Sequence, residues 1–212
     1  MSVKLISYSK TVDNENTLID QVAYCARVSN PSNQNNKLTN NKLIKYLIKN
    51  SHWSPFEMSS ICVEIKTTRD IARQILRHRS FSYQEFSQRY AKVTEEFDTK
   101  DARLQDSKNR QSSIITTDDK LKLEWKEKQN EITSLVKKNY DWALENNIAK
   151  ECARVILPEG LTPSTLYMSG TLRSWIHYLK LRCANGTQLE HMDIANKIKS
   201  AISLIFPLIN EL

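Results

Sequence analysis

Short alternating runs interrupt a mostly helical rhythm of apolar positions along this chain. Val3, Leu5 and Ser7 alternate with Lys4, Ile6 and Tyr8, and Ile61, Val63 and Ile65 alternate with Cys62, Glu64 and Lys66. A period of two predicts a strand at each place. Leu18, Ile19, Val22, Ala23 and Ala26 recur at helical spacing and predict a helix over 16–29. Asn30-Pro31-Ser32-Asn33 breaks it, and the Asn-rich stretch to Asn36 reads as a loop. Thr39 stands where a cap belongs for a helix ending near Asn50, with Leu43, Ile44, Leu47 and Ile48 on its apolar side.

After the second strand, Thr67 or Thr68 is placed to cap a third helix, with Asp70 in its first turn. Ile71, Ile75 and Leu76 form its apolar side, and the pattern carries it to about Arg79. Arg69, Arg73 and Arg77 then share one face, with Gln74 and His78 in the adjacent row. Ser80 to Tyr90 is expected to fold back as a loop, and 92–117 reads as a long irregular excursion. A charged helix over 118–147 carries Leu121, Trp125, Ile132, Leu135, Val136 and Trp142. A short helix over 149–156 holds Arg154 and is stopped by Pro158-Glu159-Gly160. Met168, Leu172, Trp175 and Leu179 are spaced by fours and threes, which predicts a helix over 163–183 closed at Asn185-Gly186. Leu189 to Ile205 gives the last helix. Few strands and no regular strand–helix alternation place the chain in the α+β class, with a small antiparallel sheet and a long helical half. A length of 212 residues fits one domain spanning 1–212.

Charge and composition narrow the partners. Lys and Arg number 31 against 24 Asp and Glu, a formal +7 that favours anionic ligands. Only three glycines occur, Gly160, Gly170 and Gly186, so neither a GxGxxG nor a GxxxxGK[ST] phosphate loop can be built. A nucleotide would have to be held by side chains. Cys25, Cys62, Cys152 and Cys183 form no CxxC pair, which argues against zinc or a redox dithiol and suggests reduced, mostly buried thiols. The N-terminus has no apolar leader core, and no run of about 18 apolar residues exists. A cytoplasmic protein without a membrane span is expected.

The chemistry is concentrated in Arg77-His78-Arg79-Ser80-Phe81-Ser82-Tyr83-Gln84-Glu85-Phe86-Ser87-Gln88-Arg89-Tyr90. Cations packed this closely repel one another unless an anion sits among them, and Glu85 alone cannot neutralise them. Phosphate suits arginine geometry best. A solvated basic face is the plainer alternative, but Phe81, Tyr83, Phe86 and Tyr90 interleave the charges, which such a face does not require.

These residues resemble the signature of the flavin-dependent thymidylate synthases, Arg-His-Arg, two residues, Ser, one residue, Asn-Glu, one residue, Ser, one residue, Arg. Arg77, His78, Arg79, Ser82, Glu85, Ser87 and Arg89 match, and Gln84 replaces the usual Asn. His52 to Glu57 resembles the family's His-x-Thr-Pro-Phe-Glu turn, with Ser54 for Thr. Ala153 to Pro158 resembles its Ala-Arg-x-x-Leu-Pro segment, and Arg173-Ser174 and Leu181-Arg182 resemble its late helix. Nearly the whole chain can be aligned, 92–117 least well.

The resemblance implies reductive methylation of dUMP to dTMP. Methylenetetrahydrofolate gives the carbon, and NADPH-reduced FAD gives the hydride. It implies that Gln74, Arg77, Glu85, Phe86, Ser87, Gln88 and Arg89 bind dUMP, that Arg154 grips its phosphate, and that Arg182 contacts the uracil and is catalytic. FAD would be held by His52, Ser54, Glu57, Arg77, His78, Arg79, Gln84, Glu85, Thr171, Leu172 through its backbone, Arg173 and His177. Thr171 and His177 stand where the family commonly has Asn. The family is a homotetramer with shared active sites.

Other features weigh less. Ser87 lacks an adjacent histidine base, so a binding role suits it better than a nucleophilic one. His191 follows Glu190 without a second histidine at i+4, so no metal site is expected. Trp125, Trp142 and Trp175 read as core or subunit contacts, and Arg69 and Arg73 as partners for acids on neighbouring elements. Two rival readings stay open: a nucleic-acid-binding module using 69–90, for which binding that weakens steeply with salt is the mark, and an inactive flavoprotein of the same fold.

Overall fold

The computed structural model describes residues 1–12 and 15–211. Two nine-residue strands form its centre. Ser60–Thr68 (here β2, after β1 at Ser2–Tyr8) and Pro163–Thr171 pair antiparallel from Ser60↔Thr171 to Thr68↔Pro163. β1 flanks β2, and the short strand Ser82–Glu85 (β3) flanks the 163–171 strand. With a separate hairpin of Arg103–Gln105 (β4) and Ser113–Ile115 (β5), the 163–171 strand becomes β6, and the main sheet runs β1-β2-β6-β3.

The helices are α1 (Leu18–Ala26), α2 (Asn40–Lys49), α3 (Arg69–Ile75), α4 (Asp119–Glu145), α5 (Lys150–Ala153), α6 (Leu172–Arg182) and α7 (Leu189–Ser203). Alternation in β2 turns Ile61, Val63 and Ile65 inward, and β6 adds Leu166 and Met168. Ile71, Ile75, Trp175, Ile176, Leu179, Ile194, Ile198 and Ile202 cover them in one core. Trp175 is completely buried, and its indole N–H donates to the Ile61 carbonyl at 3.1 Å, so burial leaves no orphan donor.

Each central strand runs into a helix without a connecting loop. Thr68 is followed at once by α3, and Thr171 by α6. The first amide of each helix reaches across to the residue flanking the paired strand: Arg69 N donates to Thr162 O at 3.0 Å and Leu172 N to Ser59 O at 2.8 Å. Because β2 and β6 are antiparallel, α3 and α6 begin at opposite ends of the sheet.

Several sequence expectations are corrected. The helix expected over 163–183 is a strand to Thr171 and a helix only from Leu172. The third helix ends at Ile75, not near Arg79, so Arg77 and His78 lie in the following turn. There the Tyr83 hydroxyl stands 2.9 Å from the carbonyls of both Ile75 and His78 and supplies a donor the helix end lacks. The expected loop over Ser80–Tyr90 contains β3, and the 92–117 excursion contains the β4–β5 hairpin. Thr39 and Thr68 occupy cap positions but make no side-chain cap bond, whereas Thr17 forms a full capping box with Asp20. The thiols are free but not mostly buried: Cys25, Cys62 and Cys183 are half-buried and Cys152 is exposed. Trp175 is core, while Trp125 and Trp142 are exposed on α4.

Candidate active site

The face of α6 formed by Ser174, Tyr178 and Arg182, spaced by four, receives the turn that follows α3. Ser174 Oγ donates to the Ser80 carbonyl at 3.2 Å. Phe81 packs its ring 4.6 Å from Trp175 and 5.9 Å from Tyr178. Gly170 makes this approach possible, since a Cβ there would lie 2.4 Å from Phe81 Cδ1. At the end of the face, Arg182 Nε donates to His78 Nε2 at 2.8 Å.

The Arg182 donor fixes the tautomer of His78. Arg182 offers only N–H groups, so the facing imidazole nitrogen must be bare and the proton sits on Nδ1. Burial and the guanidinium charge push the His78 pKa down to about 4, so the ring is neutral at physiological pH. Tyr178 closes one side, its ring 4.8 Å from His78 and nearly perpendicular to it.

Behind this pair lies a group that sequence reasoning missed. Tyr178 bonds His191 Nε2 at 3.0 Å, and His191 Nδ1 meets Gln74 Oε1 at 3.3 Å. Gln74 donates to Gln188 Oε1 at 2.7 Å, and Gln188 to Glu190 Oε2 at 2.9 Å. Glu190 holds Arg103 through two bonds of 2.6 and 3.0 Å. Burial pushes the Glu190 carboxyl up, but bonds from Arg103 and Gln188 and the Arg103 charge outweigh it and hold the pKa at about 2. Burial, then Arg182 and His78, push His191 down to about 4. Of this group the sequence named Gln74, as a dUMP contact, and His191 beside Glu190, and neither pointed to Arg103.

A second cluster joins the turn after α2 to the start of α6. Glu57 pairs with Arg173, and Trp53 places its ring 4.6 Å from His177. Lys180 Nζ lies 5.3 Å over the Trp53 ring. His52 and Ser54 are exposed on the same turn. Thr171 caps α6, accepting from Ser174 N at 3.3 Å. The Leu172 amide is already committed to Ser59, so it is not free to donate to a ligand.

The third cluster surrounds β3. Glu85 accepts from Ser164 Oγ at 2.9 Å and faces Arg69 at 3.5 Å and Arg73 at 3.7 Å. Arg69 and Arg73 also reach Glu159, as their pairing with neighbouring acids required. Arg89 pairs with Glu151 at 3.2 Å, three residues before Arg154. Phe86 and Gln84 are exposed, Ser87 is half-buried, and Gln88 is buried with its Nε2 unpartnered. Among the described residues, Arg77, Arg79 and Arg154 make no side-chain ion pair, leaving their charge available to an anion.

Residues 4–208 match the family described as thymidylate synthase complementing protein. The chain is 51% identical over 208 residues to a probable flavin-dependent thymidylate synthase of Paramecium bursaria Chlorella virus 1, covering 98% of this chain and 96% of that one. It is 46% identical over 211 residues to the flavin-dependent thymidylate synthase of a Synechocystis species, with the same coverage. The chain belongs to the flavin-dependent thymidylate synthases. Its fold is shared with the UMP/dUMP methylase PolB of Streptomyces cacaoi, solved with 5-Br dUMP, at a TM-score of 0.84 and 27% identity over 99% of this chain and 93% of that one. As a flavin-dependent thymidylate synthase, the chain carries Arg77, Arg79, Arg89, Arg154 and Arg182 within the matched segment.

Proposed function

We propose that the chain methylates dUMP to dTMP with methylenetetrahydrofolate as carbon donor and NADPH-reduced FAD as hydride source. The observation that carries this reading is the contact between the two motif regions: Arg182 of the late helix bonds His78 of the Arg-His-Arg run. Arg182 is the catalytic residue. Its guanidinium, anchored at Nε, leaves its terminal N–H groups to stabilise negative charge on the uracil ring and so activate its C5 carbon. Arg77, Glu85, Phe86, Ser87, Gln88 and Arg89 line the nucleotide from the returning segment. Arg154, whose side chain makes no ion pair among the described residues, takes the phosphate.

The residues around Trp53 fit a flavin dinucleotide. An aromatic pair, Trp53 with His177, stands beside the cations Arg173 and Lys180, which suits a flat ring system joined to a diphosphate. His52, Ser54, Glu57, Thr171, Arg173 and His177 would hold FAD on this side, and Arg77, His78, Arg79, Gln84 and Glu85 on the other. FAD, when bound and reduced, supplies the hydride that completes the methyl group.

The enzyme is one domain, works in the cytoplasm, and assembles as a homotetramer. Among the described residues no helix is long and apolar enough to cross a membrane. Self-association is supported by α4, where Leu121, Trp125, Ile132, Leu135 and Trp142 follow a heptad-like stripe and are all exposed in the single chain. The visible absorption spectrum of the purified protein with FAD, before and after dUMP, tests the reading. A bound-flavin spectrum perturbed by dUMP, with dTMP formed on adding NADPH and the folate, is expected. A protein that takes up no flavin would overturn it.

A further inference from the structure

The bonds that run from Arg103 to Tyr178 have a direction, and the chemistry of the groups alone sets it. Glu190 is ionised and only accepts, so Gln188 must turn its NH2 toward the carboxylate. Its carbonyl then faces Gln74 and requires the Gln74 NH2. The Gln74 carbonyl therefore faces His191 Nδ1, which must carry the proton. His191 Nε2 is left bare and accepts from the Tyr178 hydroxyl. No member can flip its amide or exchange its tautomer without leaving two acceptors or two donors face to face. Such a clash is costly here, because His191 is wholly buried and Glu190 is 7% exposed.

The far end of this chain meets the proposed catalytic pair. The Tyr178 ring is the wall against which His78 stands, and His78 receives Arg182. We propose that Glu190 and His191 are positioning residues for the Arg182–His78 pair, acting through Gln188, Gln74 and Tyr178. Arg103, from the β4–β5 excursion, locks the carboxylate at the other end. The catalytic consequence rests on the reading of Arg182 given above. The positional consequence does not.

The strength of such a device lies in tolerance. Catalytic groups displaced by about 1 Å lose roughly 100-fold in rate. Glu190→Gln makes the anchor ambiguous, since its amide can present either an N–H or a carbonyl to Gln188. Tyr178→Phe keeps the wall and removes only the last bond, which guards against a Glu190 variant that does not fold. The readout is the nitrogen-15 spectrum of the imidazoles, tractable with only four histidines in the chain. In the wild type, His78 and His191 each carry the proton on Nδ1 at neutral pH. In either variant, the His78 nitrogens shift and lose their single-tautomer pattern, and kcat falls about 10- to 100-fold, with KM for dUMP changed by no more than about threefold. His191 protonated on Nε2 in the wild type, or His78 nitrogens unmoved in both folded variants, would overturn the proposal. A wild-type protein with the expected tautomers that makes no dTMP would instead count against the functional reading alone.

Discussion

Arg182 is held by His78 through its Nε–H, so the one nitrogen of the guanidinium that lies along the side chain is committed, while the terminal pair makes no ion pair among the described residues. This geometry separates aiming from acting. His78 is neutral and accepts at Nε2, which keeps a second positive charge away from the arginine.

Replacing Arg182 tests the acting half. Arg182→Ala should lower kcat by about 100-fold or more, the loss typical of one preorganised donor to a developing charge. Flavin should stay bound, since Arg182 is not part of the Trp53 cluster. A spectrum that loses its flavin bands in this variant would mean that Arg182 holds the cofactor rather than the substrate.

The flavin side has its own probe in the Glu57–Arg173 pair. Arg173→Ala is expected to weaken FAD retention on gel filtration by about tenfold, the effect of losing one or two charge-assisted bonds, and to change dUMP binding little. Equal weakening of both ligands would place Arg173 at the nucleotide instead.

Gly170 has no room for a methyl group. Phe81 is wedged between Trp175 and Tyr178 and has nowhere to retreat. Gly170→Ala should destabilise by about 1–3 kcal/mol, the usual range for overpacking, measured by urea denaturation. Phe81→Leu in the same chain should recover part of the loss. A neutral Gly170→Ala would show that the turn holding His78 is softer than its packing indicates.

Acid should unfold the protein through two histidines held neutral, His191 buried and His78 half-buried. His78 and His191 each have a folded pKa of about 4 against an ordinary 6.5. Between those values the unfolded chain binds more protons, so stability rises with pH from about 4 to 6.5 and falls as pH is lowered through that window. Glu190, held at about 2 against 4.5, adds a further loss as pH falls below 4.5. Urea midpoints at pH 7.5, 6 and 4.5 should descend in that order, and a flat series would contradict the neutral state of both rings.

The α4 stripe predicts an assembly defect. Trp125→Glu with Leu135→Glu should yield a smaller species by light scattering, with the helical circular dichroism retained. An unchanged mass would remove α4 from the subunit contacts.

The motif residues were legible in the sequence because their types and spacing are rare, and the two β strands of the first 68 residues because period two is unambiguous there. β6 was hidden by a coincidence of faces. Met168 ends the strand's inward row, and Leu172, Trp175 and Leu179 continue into the same core, so fours and threes run across a strand–helix boundary. Only Leu166, exposed Tyr167 and Met168 kept the alternation, three residues against a long apparent helix. The early end of α3 was invisible because Tyr83, folding back on β3, supplies its terminal donor. The relay was invisible for a similar reason: Arg103, Gln74 and Gln188 lie on separate elements, and their meeting is a property of the fold.

The two loopless junctions carry a consequence for how the molecule comes apart. The same nine-pair register that aligns β2 with β6 also delivers the Arg69 amide to Thr162 and the Leu172 amide to Ser59. A slip of one residue would turn Ile61, Val63 and Ile65 outward and unseat both helix starts together. The sheet and the two helices that carry Gln74 and Arg182 are thus one cooperative unit. Amide hydrogen exchange in β2, α3, β6 and α6 should proceed through a common opening, with no partly assembled site exposed on the way.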